Sequence, residues 1–575
     1  MPDYHRVGRS GGQGDQLAQR ASHDRPERRF HALRHRAPHS PHHAPKDIID
    51  TYQGVFDDGW DLIREQTFAR QKALGVAPQD TILPSRNPGI RAWDSLTDDE
   101  RRCIRARWRC VCRAFVEHTD TQIGRLLDHL RATGQFENTM IYLMSDNGAS
   151  AEGGMHGLSS EITYFNGLSE SIDDMMDKLE AWGDPSTYPH YAAGWAYAGS
   201  TPQRWYKAFV HEGGTRDPLI VSWPRRIGDG GGIRDQFLHV VDIATTVYEL
   251  LGITLPDEVD GVPQRPLEGT SISYTFDAPD APTQKQRQYF ELYAHRAIWA
   301  DGWKAVTMHP SRGAKARIGD PDMPVRMGRF DEDIWELYHL TNDFSESTDL
   351  AATHPDKLAE LQAMWWEDAR RYNVLPLDDR VIERSQEPRP RLVRQRDSYT
   401  FTGPIRLVRS VSPSVLNRDH NIVARIDTGS RGCEGVIVSN GGLQGGYTLC
   451  IQDGHLVYAS NYLGRRHTVL RSEQPLPAGE HTVAMSFTRT EPYAGQATLY
   501  VDGLRVAQGA IEKTNPVIYA VAEGLEVGSD TGTAVWPGYS APFRFTGRII
   551  EVTLTTVGAL KVDPEAEDRI ARYTQ

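Results

Sequence analysis

The chain has 575 residues, 39% of them hydrophobic and 25% charged, an ordinary globular composition. A formal net charge of -13 argues against a nucleic-acid partner, and no apolar run approaches the roughly 18 residues of a membrane span. The first residues lack the apolar core of a secretory signal. The five cysteines include a cluster of Cys103, Cys110 and Cys112. Cys110-Val111-Cys112 has no second pair to complete a zinc site, so thiols in a reducing, cytoplasmic compartment are expected.

Met1 to Pro38 is crowded with Arg, His, Gly and Gln and has no helical or strand period. It reads either as a disordered basic arm or as a stretch translated out of frame. Sense begins at His39-Ser40-Pro41-His42-His43-Ala44-Pro45, where His42 and His43 are expected at the surface. From Lys46 the pattern is surface helix and loop. Thr97 followed by Glu100 predicts a capping box, and the helix it opens continues through Phe115, Val116, Ile123, Leu126, Leu127 and Leu130 to Gly134. Met140 to Met144 is a short apolar run that predicts a strand buried on both faces. It stops at Ser145-Asp146-Asn147-Gly148, placing a carboxylate and an amide oxygen where open α/β sheets bind ligands. These are hard donors suited to Ca²⁺ or Mg²⁺; the alternative is a plain Asx turn.

Residues 151–200 are Gly-rich and polar, with one short helix from Ile172 to Trp182, and an insertion in that place is expected to shape a substrate pocket. Leu219 to Pro224 predicts another buried strand. Phe237 to Leu251 predicts a helix closed by Gly252. Strands follow at Tyr289–Leu292 and Trp303–Val306, and after Trp335-Glu336-Leu337-Tyr338 comes a long helix from His354 to Tyr372. The stretch from Pro376 to about Gln395 is rich in Pro and charge and reads as a linker. Beyond it come short alternating strands with Asp453-Gly454 and Asp502-Gly503 turns, the mark of hairpins in an antiparallel β-sandwich.

Several of these stretches, in this order, resemble the sulfatases, specifically bacterial arylsulfatases. They are His39–Pro45; Ser145-Asp146-Asn147-Gly148; Lys207 ahead of Glu212-Gly213-Gly214-Thr215-Arg216-Asp217-Pro218; His239-Val240-Val241-Asp242-Ile243; and Trp335-Glu336-Leu337-Tyr338-His339-Leu340. The resemblance implies an α/β, alkaline-phosphatase-like core with an incomplete mixed sheet flanked by helices, followed by a laminin-G/concanavalin-like antiparallel β-sandwich. The expected divisions are 1–38, a catalytic domain 39–380, a linker 381–395 and a sandwich 396–575. It implies Asp146 and Asn147 as Ca²⁺ ligands, and Lys207 and His39 as the cations that contact the sulfate and its bridging oxygen from opposite sides. Arg216 is expected to be a structural ion-pair partner. The small-molecule substrate implied is an aryl sulfate monoester.

The family's formylglycine nucleophile, made from Cys or Ser in Cys/Ser-x-Pro/Ala-x-Arg, is not encoded in place. Cys103-Ile104-Arg105-Ala106-Arg107 lacks the Pro or Ala. Ser200-Thr201-Pro202-Gln203-Arg204 matches by letter but lies after the Asp146 strand, and is read as coincidence. The chain is therefore expected to correspond to the C-terminal part of an arylsulfatase and to turn over little substrate by itself. The alternative is a non-catalytic remnant that binds glycans or proteins through the sandwich. A two-metal phosphatase of the same superfold ranks lower, because no added Asp/His ligands surround His211.

Overall fold

The computed structural model describes residues 39–108, 114–318, 322–380 and 396–558. The expectations for residues 1–38, for Cys110 and Cys112, and for the linker 381–395 lie outside the described residues. The described chain forms two compact units. The first holds His39, 44–157 and 191–380; the second holds 40–43, 158–190 and the C-terminal region.

In the first unit, helices Asp98–Trp108 and Phe115–Ala132 follow the predicted pattern. The capping box is formed at both ends: the Thr97 N–H donates to Glu100 Oε2 at 2.7 Å and the Glu100 N–H to Thr97 Oγ1 at 3.2 Å. Burial works against the Glu100 carboxylate, yet that backbone bond and those from Arg91 and His156 hold it down at about 2.

A four-stranded antiparallel sheet runs in the order Arg287–Leu292, His295–Ala300, Trp303–Thr307, Trp335–His339. Its side chains alternate between faces with the period of two. Ile298, Ala300, Ala305 and Leu337 pack under helix Pro355–Arg371 through Leu361 and Trp365. Ala297, Trp299, Val306 and Tyr338 face the other way, against Val210, and Phe237 stacks on Trp299 with centroids 3.8 Å apart. That second face is what carries the segment following Lys207.

One expectation is corrected. The strand Ile141–Met144 is not buried on both faces: Leu143 and Met144 are 42% and 41% exposed. It pairs antiparallel with Leu219–Ser222, Ile141 opposite Ser222 and Met144 opposite Leu219, in a two-stranded sheet. Leu219–Ser222 is likewise half covered, with Ile220 58% exposed. The described ladders of this unit are all antiparallel. An apolar run alone cannot report burial on both faces, because burial depends on neighbours that a single segment does not encode.

The second unit is an antiparallel sandwich of two six-stranded sheets. Both Asp-Gly turns form as read, with φ of 49° and 76° at Asp453 and Gly454 and 49° and 80° at Asp502 and Gly503; two successive positive φ values are what a type I′ hairpin needs. Inward positions such as Ile422, Ala424, Ile426, Leu449, Ile451, Met485 and Leu499 make its core. The 158–190 segment packs in this unit, Ile162 and Phe165 with Leu463 and Ile518. His42 is buried rather than at the surface: its Nδ1 lies 2.8 Å from the Pro189 carbonyl and its ring is edge-on to His190. His43 is partly buried, with Nε2 2.9 Å from the Thr187 carbonyl.

Candidate functional site

Two glycine motifs meet in the first unit, and their meeting builds the site. A Cβ on Gly148 would come 1.8 Å from the Gly213 carbonyl oxygen; on Gly214 it would come 2.0 Å from that of Phe209. Only glycine permits the two backbones to lie this close. The Ser145 N–H donates to Pro218 at 3.3 Å, the Gly148 N–H to Gly214 at 3.4 Å, and the Lys207 N–H to Ala149 at 3.0 Å. The loop that bears Asp146 and Asn147 and the segment that bears Lys207, far apart in sequence, are thereby joined backbone to backbone. His39 is exposed and stands at the step where the chain passes from the first unit to the second. Gly148→Ala is expected to push these segments apart and destabilise the unit by about 1–3 kcal/mol, as overpacking does. A lowered urea midpoint for this unit checks it.

Lys207 is flanked by two residues in left-handed backbone, Trp205 at φ 64° and Ala208 at φ 75°. Such conformations in non-glycine residues persist only where the surroundings over-determine them. Here Trp205, Tyr206 and Phe209 are buried, with Phe209 stacked on Trp205. The following turn is held by charge. Lys304 Nζ lies 2.7 Å from Glu212 Oε1 and 3.1 Å from Glu346 Oε1, all three side chains being buried. The Glu212 N–H donates to Glu346 Oε2 at 2.9 Å. Arg216 lies 3.3 Å from Glu212 and stacks on Phe344, the structural role expected of it.

Arg204 of the Ser200–Arg204 stretch is committed to Glu336, at 3.1 Å, and to the Tyr338 hydroxyl. Arg64, fully buried, donates to Thr201 Oγ1, the Pro202 carbonyl and the Gln203 carbonyl of the same stretch. These partners explain the stretch as structure. His211 Nε2 lies 3.1 Å from Glu336.

Asp146 and Asn147 suit a hard cation by donor chemistry. The Asn147 amide donates to the Gly148 carbonyl at 3.2 Å, which leaves its oxygen for a metal. Asp217 is a further carboxylate that the motif reading did not single out. Burial, with the charges of Asp146 and Glu212, pushes it up to about 7, the mark of a place short of positive charge. Among the described residues no group of three or more His, Cys, Asp or Glu side chains is arranged to hold a metal. Asp146 and Asn147 therefore supply only part of the six to eight oxygens Ca²⁺ takes.

Residues 15–253 match the sulfatase family model, and residues 202–307 match the model described as N-sulphoglucosamine sulphohydrolase, C-terminal. Residues 15–307 are of the sulfatase family. With the family comes the fold class, an α/β alkaline-phosphatase-like core followed here by an antiparallel sandwich. The match begins at residue 15, ahead of the first described residue. This sulfatase chain is 32% identical over 339 residues to an uncharacterized sulfatase of Schizosaccharomyces pombe, covering 57% of this chain and 55% of that one. It is 29% identical to an arylsulfatase of Klebsiella aerogenes over 238 residues, 41% of this chain and 49% of that one. The chain thus spans about half the length of these curated relatives. The solved structure of Ps i-CgsB aligns with a TM-score of 0.39 at 15% identity, over 66% of this chain and 57% of that one.

Proposed function

We propose that this sulfatase chain binds sulfuric monoesters of aryl type as part of a sulfuric ester hydrolase. The observation that carries the reading is Lys207, an ammonium 11% exposed and tied by its backbone to the loop that bears Asp146 and Asn147. A sulfate monoester is an anion whose leaving oxygen gains charge as the S–O bond breaks. A preorganised cation beside that oxygen stabilises the change, and a positioned proton donor completes it. In this reading Lys207 contacts the sulfate, His39 serves from the opposite side, and Asp146 and Asn147 would hold Ca²⁺, whose charge would draw in the ester oxygens. The likeness to the Klebsiella aerogenes arylsulfatase supports an aryl leaving group.

The formylglycine nucleophile implied by the family has no encoding stretch in place. Turnover of p-nitrophenyl sulfate by this chain alone is therefore expected to be negligible, while anion binding is retained. The experiment is calorimetric titration of the full chain with benzenesulfonate in calcium-containing buffer, beside a p-nitrophenyl sulfate assay. Lys207→Ala is expected to weaken binding at least tenfold, the scale of one lost charge-assisted contact. Binding undiminished by Lys207→Ala would overturn the reading, and appreciable turnover would overturn the expectation of inactivity.

A further inference from the structure

Lys207 does not stand alone in its recess. Glu152 Oε2 lies 2.9 Å from its Nζ, and the two side chains are only 11% and 10% exposed. The carboxylate is set in place by its own loop. Ser150 Oγ donates to the same Oε2 at 2.9 Å and accepts the Glu152 N–H at 3.3 Å, while the Ser150 N–H donates to the Tyr191 hydroxyl at 2.7 Å. The Ala149 carbonyl, one residue before Ser150, takes the Lys207 N–H. Cation and counter-ion thus ride on two backbones that are bonded to each other.

We infer that Glu152 is a specificity-determining residue that lowers the positive potential at Lys207, so that the site favours singly charged sulfate monoesters over doubly charged phosphate monoesters. The inference rests on the reading of Lys207 as the sulfate-binding cation. Attraction to a site grows in proportion to the ligand's charge, whereas the cost of stripping water from the ligand grows with its square in the Born description. A strong positive potential therefore favours the dianion, and a weakened one favours the monoanion. Tetrahedral shape does not separate the two esters; charge does. Removing the carboxylate should strengthen binding of both, and the factor for a dianion should be the square of that for a monoanion.

The test uses two ligands that cannot be hydrolysed, benzenesulfonate and phenylphosphonate, titrated into the full chain in calcium-containing buffer at a pH where the phosphonate carries two charges. Wild type should prefer benzenesulfonate. Glu152→Gln should bind benzenesulfonate about tenfold tighter and phenylphosphonate about a hundredfold tighter, reversing or abolishing the preference. Glu152→Ala, checked for an unchanged thermal midpoint, should do the same. Equal gains for the two ligands, or none in either variant, overturn the inference while Lys207→Ala still weakens both ligands and leaves the binding assignment standing. If Lys207→Ala weakens neither ligand, the binding assignment falls and this inference with it.

Discussion

Lys304→Ala is expected to destabilise the first unit by about 3–5 kcal/mol, the cost of breaking a buried ion pair from one side. Lys304 is fully buried, and its ammonium is the cation between Glu212 and Glu346, both also buried. Burial opposes the charge on Lys304, and the two carboxylates raise its pKa in spite of that. Without the ammonium, two carboxylates would remain in a dry interior with Arg216 as the nearby cation, on a side chain that is more than a third exposed. The conservative control is Lys304→Met together with Glu212→Gln and Glu346→Gln, which removes all three charges at once and should recover most of the loss. Urea unfolding, followed by hydrogen exchange in the Trp303–Thr307 strand, measures both. A loss below about 1 kcal/mol, the range of exposed pairs, would mean that the triad does not hold this turn. Because Glu212 and Glu346 anchor the segment that follows Lys207, anion affinity should fall along with stability.

The second large effect is expected from pH. His309 is fully buried between two carboxylates, with Nδ1 2.9 Å from Asp333 and Nε2 2.9 Å from Asp379. Arg296 pairs with Asp333 on its far side, and the Gly328 N–H donates to Asp379 at 2.6 Å. Burial disfavours the imidazolium, but the bonds and charges of Asp333 and Asp379 outweigh it, so the pKa is raised. A histidine raised in the folded state contributes its full stabilisation below the unfolded value of about 6.5. That contribution is lost as pH climbs through the folded value. The first unit should therefore lose stability on the alkaline side of about 6.5, and His309→Gln should flatten that limb while lowering stability below it. Such a substitution leaves the buried Asp379 without the imidazolium and Asp333 with Arg296 alone, so a loss of about 3–5 kcal/mol is expected at acidic pH. Midpoints of urea unfolding across pH, for wild type and variant, decide it. A wild-type curve flat across that range would show that His309 is not charged there.

The elements that local chemistry specifies were legible in the linear chain. The Thr97–Glu100 box and the two Asp-Gly hairpins each close within a few residues, and the structure forms all of them. The helices at Val241–Leu251 and Pro355–Arg371 follow from their apolar spacing. Trp335–His339 was not read as a strand, and His295–Ala300, another strand of the four-stranded sheet, also escaped the reading. Its turn is Tyr293-Ala294, two residues with positive φ but without the Gly, Asn or Asp that signals such a turn. The close approach of the two glycine motifs was legible too, since a glycine needed for backbone contact leaves its letter in the sequence.

What surrounds Lys207 left no such letter. Glu152 is one of many acidic residues until the fold sets it 2.9 Å from an ammonium 55 positions away. Glu212 meets Lys304 across 92 positions, and His309 meets Asp379 across 70. The half-exposed faces of Ile141–Met144 and Leu219–Ser222 are decided in the same way, by which elements pack beside them. Hydrogen bonds within a turn are set by neighbouring residues, whereas burial and charge pairing depend on distances between segments that the chain's order does not contain.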